Sequence, residues 1–150
     1  MATRSKPKTI AALRRSSYKP QSVRQEMRRN IAGKIERGEN LFPGIIGFDG
    51  SVIPQLENAI LAGQDIILLG ERGQAKSRII RTLVSLLDDA VPAIAGCEIN
   101  DEPFHPVCRP CHTLLKEQGD KAAIRWMGRD ERYSEKLATP DISIADLIGE

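Results

Sequence analysis

Between Asp65 and Leu87 the chain reads D-I-I-L-L-G-E-R-G-Q-A-K-S-R-I-I-R-T-L-V-S-L-L, an order of residue types that few architectures accommodate. Four apolar residues, Ile66 to Leu69, suit a short buried strand and are too few for a buried helix. A loop with glycines at 70 and 73 follows. From Lys76-Ser77 onward, Ile79, Ile80, Leu83, Val84 and Leu87 recur on one face of a helix. Strand, tight loop and amphipathic helix in this order make the unit that cradles phosphate groups at a helix start. The loop Gly70-Glu71-Arg72-Gly73-Gln74-Ala75-Lys76-Ser77 follows G-x-x-x-x-G-K-[ST], except that Ala75 stands where the second glycine is usual.

Those residue types suit a nucleoside triphosphate bound with magnesium. A turn can aim several backbone N–H groups at a polyphosphate only where few side chains intrude, and Gly70 and Gly73 leave that room. The N-terminus of the following helix adds unpaired donors and a partial positive charge. Lys76 is expected to reach the β- and γ-phosphates and the Ser77 hydroxyl to hold Mg²⁺. Alanine at 75 keeps the side chain small but restricts the backbone.

The loop G-E-R-G-Q-A-K-S resembles the G-D-R-G-T-G-K-S loop of the ATPase subunit of magnesium chelatase, an AAA+ protein. Its Ala-Lys-Ser ending is similar to the variant loops of MoxR-type ATPases and of replicative MCM helicases. The likeness extends upstream to Phe42-Pro43-Gly44-Ile45-Ile46-Gly47 and loosely downstream to Glu150, and is dense only from Phe42 to Leu87. It implies a three-layer α/β P-loop core with an incomplete parallel sheet over residues 41–150, preceded by a basic extension over residues 1–40. It also implies ATP and Mg²⁺ as ligands, with Gly70 to Ser77 on the phosphates and Lys76 as the catalytic lysine. Ile45, Ile46 and Gly47 would lie against the adenine ring, although the same residues also suit a loop that packs the core. In this group the whole enzyme forms a ring, often hexameric, and remodels a protein partner or inserts a metal. The apolar strand ending Asp-Glu that such enzymes need for hydrolysis does not occur after Ser77. The expectation is therefore the N-terminal part of a longer ATPase, able to bind nucleotide and poor at hydrolysing it alone.

Charge is divided unevenly along the chain. Residues 1–40 hold 11 Lys and Arg against 3 Asp and Glu, whereas the rest hold 11 against 17. A basic arm on an acidic body binds nucleic acid or an acidic partner, or folds back on its own domain. Met1 to Pro20 has few large apolar residues and is expected to lack fixed structure. Gln21 to Arg37 suits a polar helix, with Val23, Met27, Ile31 and Ile35 as a narrow stripe. Arg24, Arg28 and Arg29 are its candidates for nucleic acid, without interleaved aromatics for stacking on bases. The chain shows no secretory leader or membrane span, so a cytoplasmic protein with reduced thiols is expected.

Ser51 suits an N-cap, followed by a helix with Val52, Ile53, Leu56, Ala59 and Ile60 on one side and Gly63 at its end. Further on, Ala93 to Ala95 and Ala122 to Met127 suit strands, with Trp126 as a core anchor, and His112 to Gln118 suits a helix. Ala145 to Ile148 closes the chain on Gly149. All the cysteines and histidines fall between residues 97 and 112: Cys97, His105, Cys108, Cys111 and His112. Cys108-Arg-Pro-Cys111 can share one tetrahedral ion, and Cys97 with His105 or His112 would complete a Cys₃His zinc site. Plain packed or surface thiols are the alternative. The Cys-x-x-Cys-His haem pattern would need export, and a redox pair of thioredoxin type wants a helix N-terminus directly after a strand, which this proline-rich loop does not offer.

Overall fold

The computed structural model describes residues 6–137 and 139–148. Its helices are α1 (Ile10–Arg14), α2 (Val23–Glu36), α3 (Val52–Ala62), α4 (Lys76–Leu83), α5 (Arg109–Gln118) and α6 (Ile144–Ile148), and its strands are β1 (Ala90–Ile94) and β2 (Ile124–Gly128). Among the described residues no helix is long and apolar enough to cross a membrane.

Local chemistry sets the helix ends. A capping box opens α2: the Ser22 hydroxyl accepts from Gln25 N–H and the Gln25 side chain accepts from Ser22 N–H. Ser51 stands at the N-cap of α3, but its side chain makes no capping bond. Gly63 ends that helix in the left-handed region at φ 69°, where a Cβ would be strained. α4 tightens into a 3₁₀ turn at Val84–Leu86, short of the longer helix that the apolar spacing suggests.

Two apolar clusters result. The first joins Ile31 of α2, Leu56 and Ile60 of α3, Ile79 of α4, and Leu41, Phe42, Ile45 and Leu86 from the connections. The second joins Ile10 and Leu13 of α1 to Ala122 and Ile124, with Tyr18, Phe104 and Trp126 packed around them. The stretch from Lys6 to Pro20 thus differs from the expectation of no fixed structure. Thr9 bridges Ala123, Ile10 N–H donates to Ala122 O, and Leu13 is fully buried. Two apolar side chains suffice because they fill a hollow that the chain's far end provides. Trp126 anchors the same region, donating its indole N–H to Pro7 O at 2.7 Å.

β1 and β2 pair antiparallel, with Pro92 opposite Trp126, and form a two-stranded sheet. This differs from the parallel sheet expected around the phosphate loop. Ile66 to Leu69 pairs with no other strand among the described residues, yet it keeps a strand's alternation. Ile66 and Leu68 pack on the first cluster, whereas Ile67 and Leu69 are 82% and 89% exposed. A strand is buried on both faces only when neighbours cover it, and none does so here. In the late segment α6 starts at Ile144, where the Ser143 hydroxyl accepts from Asp146 N–H. Met1–Ser5, Ala138, Gly149 and Glu150 lie outside the described residues.

The clusters are tied through Glu26. Its carboxylate accepts two bonds from the Arg132 guanidinium and one from Asp88 N–H, and both side chains are buried. This couples α2 to the segment leaving α4 and to the turn after β2.

Candidate functional site

The glycine loop leaves the extended Asp65–Leu69 segment and enters α4 at Lys76, so it stands at the positive end of a helix. Its backbone visits positive φ repeatedly: Gly70 at 150°, Gly73 at 83° and Ala75 at 52°. Ala75 is the helix N-cap, and its left-handed conformation explains why glycine is usual there. Alanine is tolerated because its methyl packs against the first cluster. The Lys76 side chain turns back across the loop, donating to Gly70 O at 2.9 Å and to Glu71 O. The Gln74 amide lies over Gly70, where a Cβ would collide with it. The loop from Glu71 to Gln74 is exposed, as is Ser77 on the first turn of α4. Folded in this way, the lysine gathers its charge onto the loop's own carbonyls, and an anion can compete for it from the solvent side.

The Phe42–Phe48 connection runs beside this loop. Gly44, at φ 76°, lies so close to the Arg78 guanidinium of α4 that a Cβ would overlap it. Ile45 is buried with Ile79, Ile46 is 87% exposed, and Gly47 turns at φ 84°. Of the three residues expected near a base, Ile45 is committed to the core and Ile46 is free to meet a ligand.

The basic arm turns inward. Arg24 holds both oxygens of Asp65 at 2.9 and 3.0 Å, and Arg29 holds Asp88 at 2.6 and 2.7 Å. Asn30 adds bonds to Asp88 and to Leu86 O. Of the three arginines considered for nucleic acid, two are thus occupied by the body's own carboxylates. Burial acts to raise the Asp88 pKa, but the bonds from Arg29 and Asn30 outweigh it, and the net shift is downward. A second tie runs from Arg81 of α4 to Glu135, whose carboxyl is lowered to about 2 by hydrogen bonds from Arg81 and Tyr133.

The cysteines gather where the chain leaves β1 and enters α5. Cys97 follows β1 through Gly96 (φ 77°), and Asn100 turns the chain again at φ 58°. Cys108 is the N-cap of α5, and Cys111 lies in its first turn. One ligand atom each from Cys97, Asp101, Cys108 and Cys111 lies within 4.8 Å of all the others, and the Cys97 and Cys108 sulfurs are 3.8 Å apart. Asp101 is buried and its Oδ2 accepts from Val107 N–H at 3.1 Å and Cys108 N–H at 2.9 Å. Burial acts to raise the Cys97 thiol, yet N–H groups of Asp101 and Ile99 and the neighbouring thiols bring it below its usual value. Burial pushes Cys111 up, with Cys108 and Cys97 adding to the rise.

The expected Cys₃His set is not what the structure brings together. His105 is exposed and pairs with Glu102 at 3.1 Å, and His112 is exposed on α5. Asp101 takes the fourth position, four residues after Cys97. That spacing was available in the sequence, but an aspartate is too common a residue to stand out. Cys108-x-x-Cys111 does open a helix, but after a loop and not directly after a strand. Scans against protein-family models, curated proteins and solved structures give no match to this chain.

Proposed function

We propose that this chain binds the polyphosphate of ATP with Mg²⁺ at Gly70–Ser77, as the nucleotide-binding part of an AAA+-type ATPase. The observation that supports the reading best is the Lys76 ammonium held across the loop at the start of α4, on Gly70 O and Glu71 O. A lysine placed only for solubility would extend into water. This one stays over a turn whose glycines and left-handed Ala75 leave the backbone open.

The chemistry then divides among residues of this chain. The N–H groups at the entrance of α4 meet phosphate oxygens, and Lys76 exchanges its two carbonyl partners for phosphate charge. The exposed Ser77 hydroxyl is the residue suited to Mg²⁺, a hard ion that keeps much of its water and takes few protein ligands. Ile46 offers an apolar surface to a base. Hydrolysis would need a carboxylate to orient water and an arginine to offset charge, and the reading assigns neither to the described residues.

Titration of a fluorescent ATP analogue with Mg²⁺, against the wild-type chain and Lys76→Ala, tests this reading. Losing a charge-assisted bond to phosphate weakens binding about 10- to 100-fold. Equal affinity in the two proteins would overturn the assignment.

A further inference from the structure

The cysteine cluster has the shape of an ion site. Around a tetrahedral ion with Zn–S bonds of about 2.3 Å, neighbouring sulfurs stand about 3.8 Å apart. Cys97 and Cys108 show that separation, and Cys111 and Asp101 close the figure within 4.8 Å. Backbone donors already face the sulfurs: Asp101 N–H points at Cys97 Sγ at 3.3 Å and Cys111 N–H at Cys108 Sγ at 3.4 Å. The bonds to Asp101 Oδ2 fix its carboxylate beside them.

We propose that Cys97, Asp101, Cys108 and Cys111 bind a structural zinc ion that fastens the end of β1 to the start of α5. A disulfide would use two of the sulfurs and leave the third, with a buried carboxylate, unaccounted for. A tetrahedral ion uses all four groups. The site also explains how the irregular segment 96–108 keeps its course while exposing Ile99 and Val107 at 61% and 75%. Apart from Pro103 and Phe104, apolar burial holds little of this segment, whereas a closed zinc site contributes folding energy outright. Three thiolates and a carboxylate exceed the charge of Zn²⁺, and the N–H donors and the N-terminus of α5 offset the excess. The site shares no residue with the glycine loop and does not rest on the nucleotide reading.

Elemental analysis of the purified chain after extensive buffer exchange is expected to find a single zinc per molecule. Replacement by Co²⁺ is expected to give thiolate charge-transfer absorption and the intense visible bands of a tetrahedral site. His105→Ala and His112→Ala should keep the zinc, and Lys76→Ala should keep it too. Asp101→Asn, which retains an acceptor for the Val107 and Cys108 N–H groups, should weaken zinc at least about tenfold in a chelator competition. Failure to take up stoichiometric added Zn²⁺ together with no tetrahedral Co²⁺ spectrum would overturn the proposal. So would a disulfide among these cysteines in the metal-free chain as purified. Loss of zinc in a histidine variant, or unchanged affinity in Asp101→Asn, would overturn the ligand set.

Discussion

Replacing Glu26 by alanine removes the acid from the best-buried ion pair among the described residues. The Glu26 and Arg132 side chains are 3% and 8% exposed, and the guanidinium meets both carboxylate oxygens. Asp88 N–H donates to the same carboxylate at 2.6 Å, so the variant leaves a buried cation and an orphaned amide. Breaking a buried pair on one side costs about 3–5 kcal/mol, because the remaining charge stays desolvated. Asp88 also acts on Arg132 and offsets part of that cost, so the expectation lies near the lower end, about 3 kcal/mol. For a domain of ordinary stability this is a large fraction of the total. Urea unfolding followed by far-UV circular dichroism measures it, with an unchanged slope showing that the same structure unfolds. A loss below about 1 kcal/mol would put the pair in the class of exposed ion pairs and refute the reasoning. Replacing both Glu26 and Arg132 by methionine should cost less than Glu26→Ala, since no unpaired charge remains.

Four further outcomes are expected. Leu13→Ala should cost about 2–5 kcal/mol in urea unfolding, although the residue lies in a charged N-terminal stretch, because Leu13 is fully buried against Ile124 and Ala122. Ala75→Gly should be near neutral, since relief of left-handed strain is offset by glycine's freedom in the unfolded chain. Ala75→Val should lose about 1–3 kcal/mol, because a β-branched residue fits poorly at φ 52°. Asp88 has a folded pKa below its unfolded value. Its contribution should be complete above about pH 4 and vanish as pH falls through the lower folded value, which thermal melts in acid would show for wild type and not for Asp88→Asn.

Much of the first cluster was legible because its signals are local. The α2 stripe centred on Ile31, Gly63 after α3, and the apolar face beginning at Ile79 each lie within one element. The second cluster was not, because Ile10 and Leu13 are too few to show a period and their partners lie more than 100 residues away. Strand-like residues were evident near Ala93 and Trp126, but their antiparallel register depends on a pairing that no local pattern encodes. At the glycine loop, the residue types and the backbone restriction at 75 could be read, whereas the left-handed turn of Ala75 and the fold-back of Lys76 onto Gly70 and Glu71 could not. For the cysteines, proximity in sequence indicated convergence. The choice of Asp101 over two histidines turned on the bends at Gly96 and Asn100, which point the aspartate inward.

Backbone amide NMR of the chain during addition of ATP and Mg²⁺ tests the central claim most directly. Saturable shifts are expected at Gly70, Gly73, Ala75, Lys76 and Ser77, lost in Lys76→Ala while the rest of the spectrum stays folded. Shifts confined to the basic residues of α2, or none at the loop at any nucleotide concentration, would contradict it.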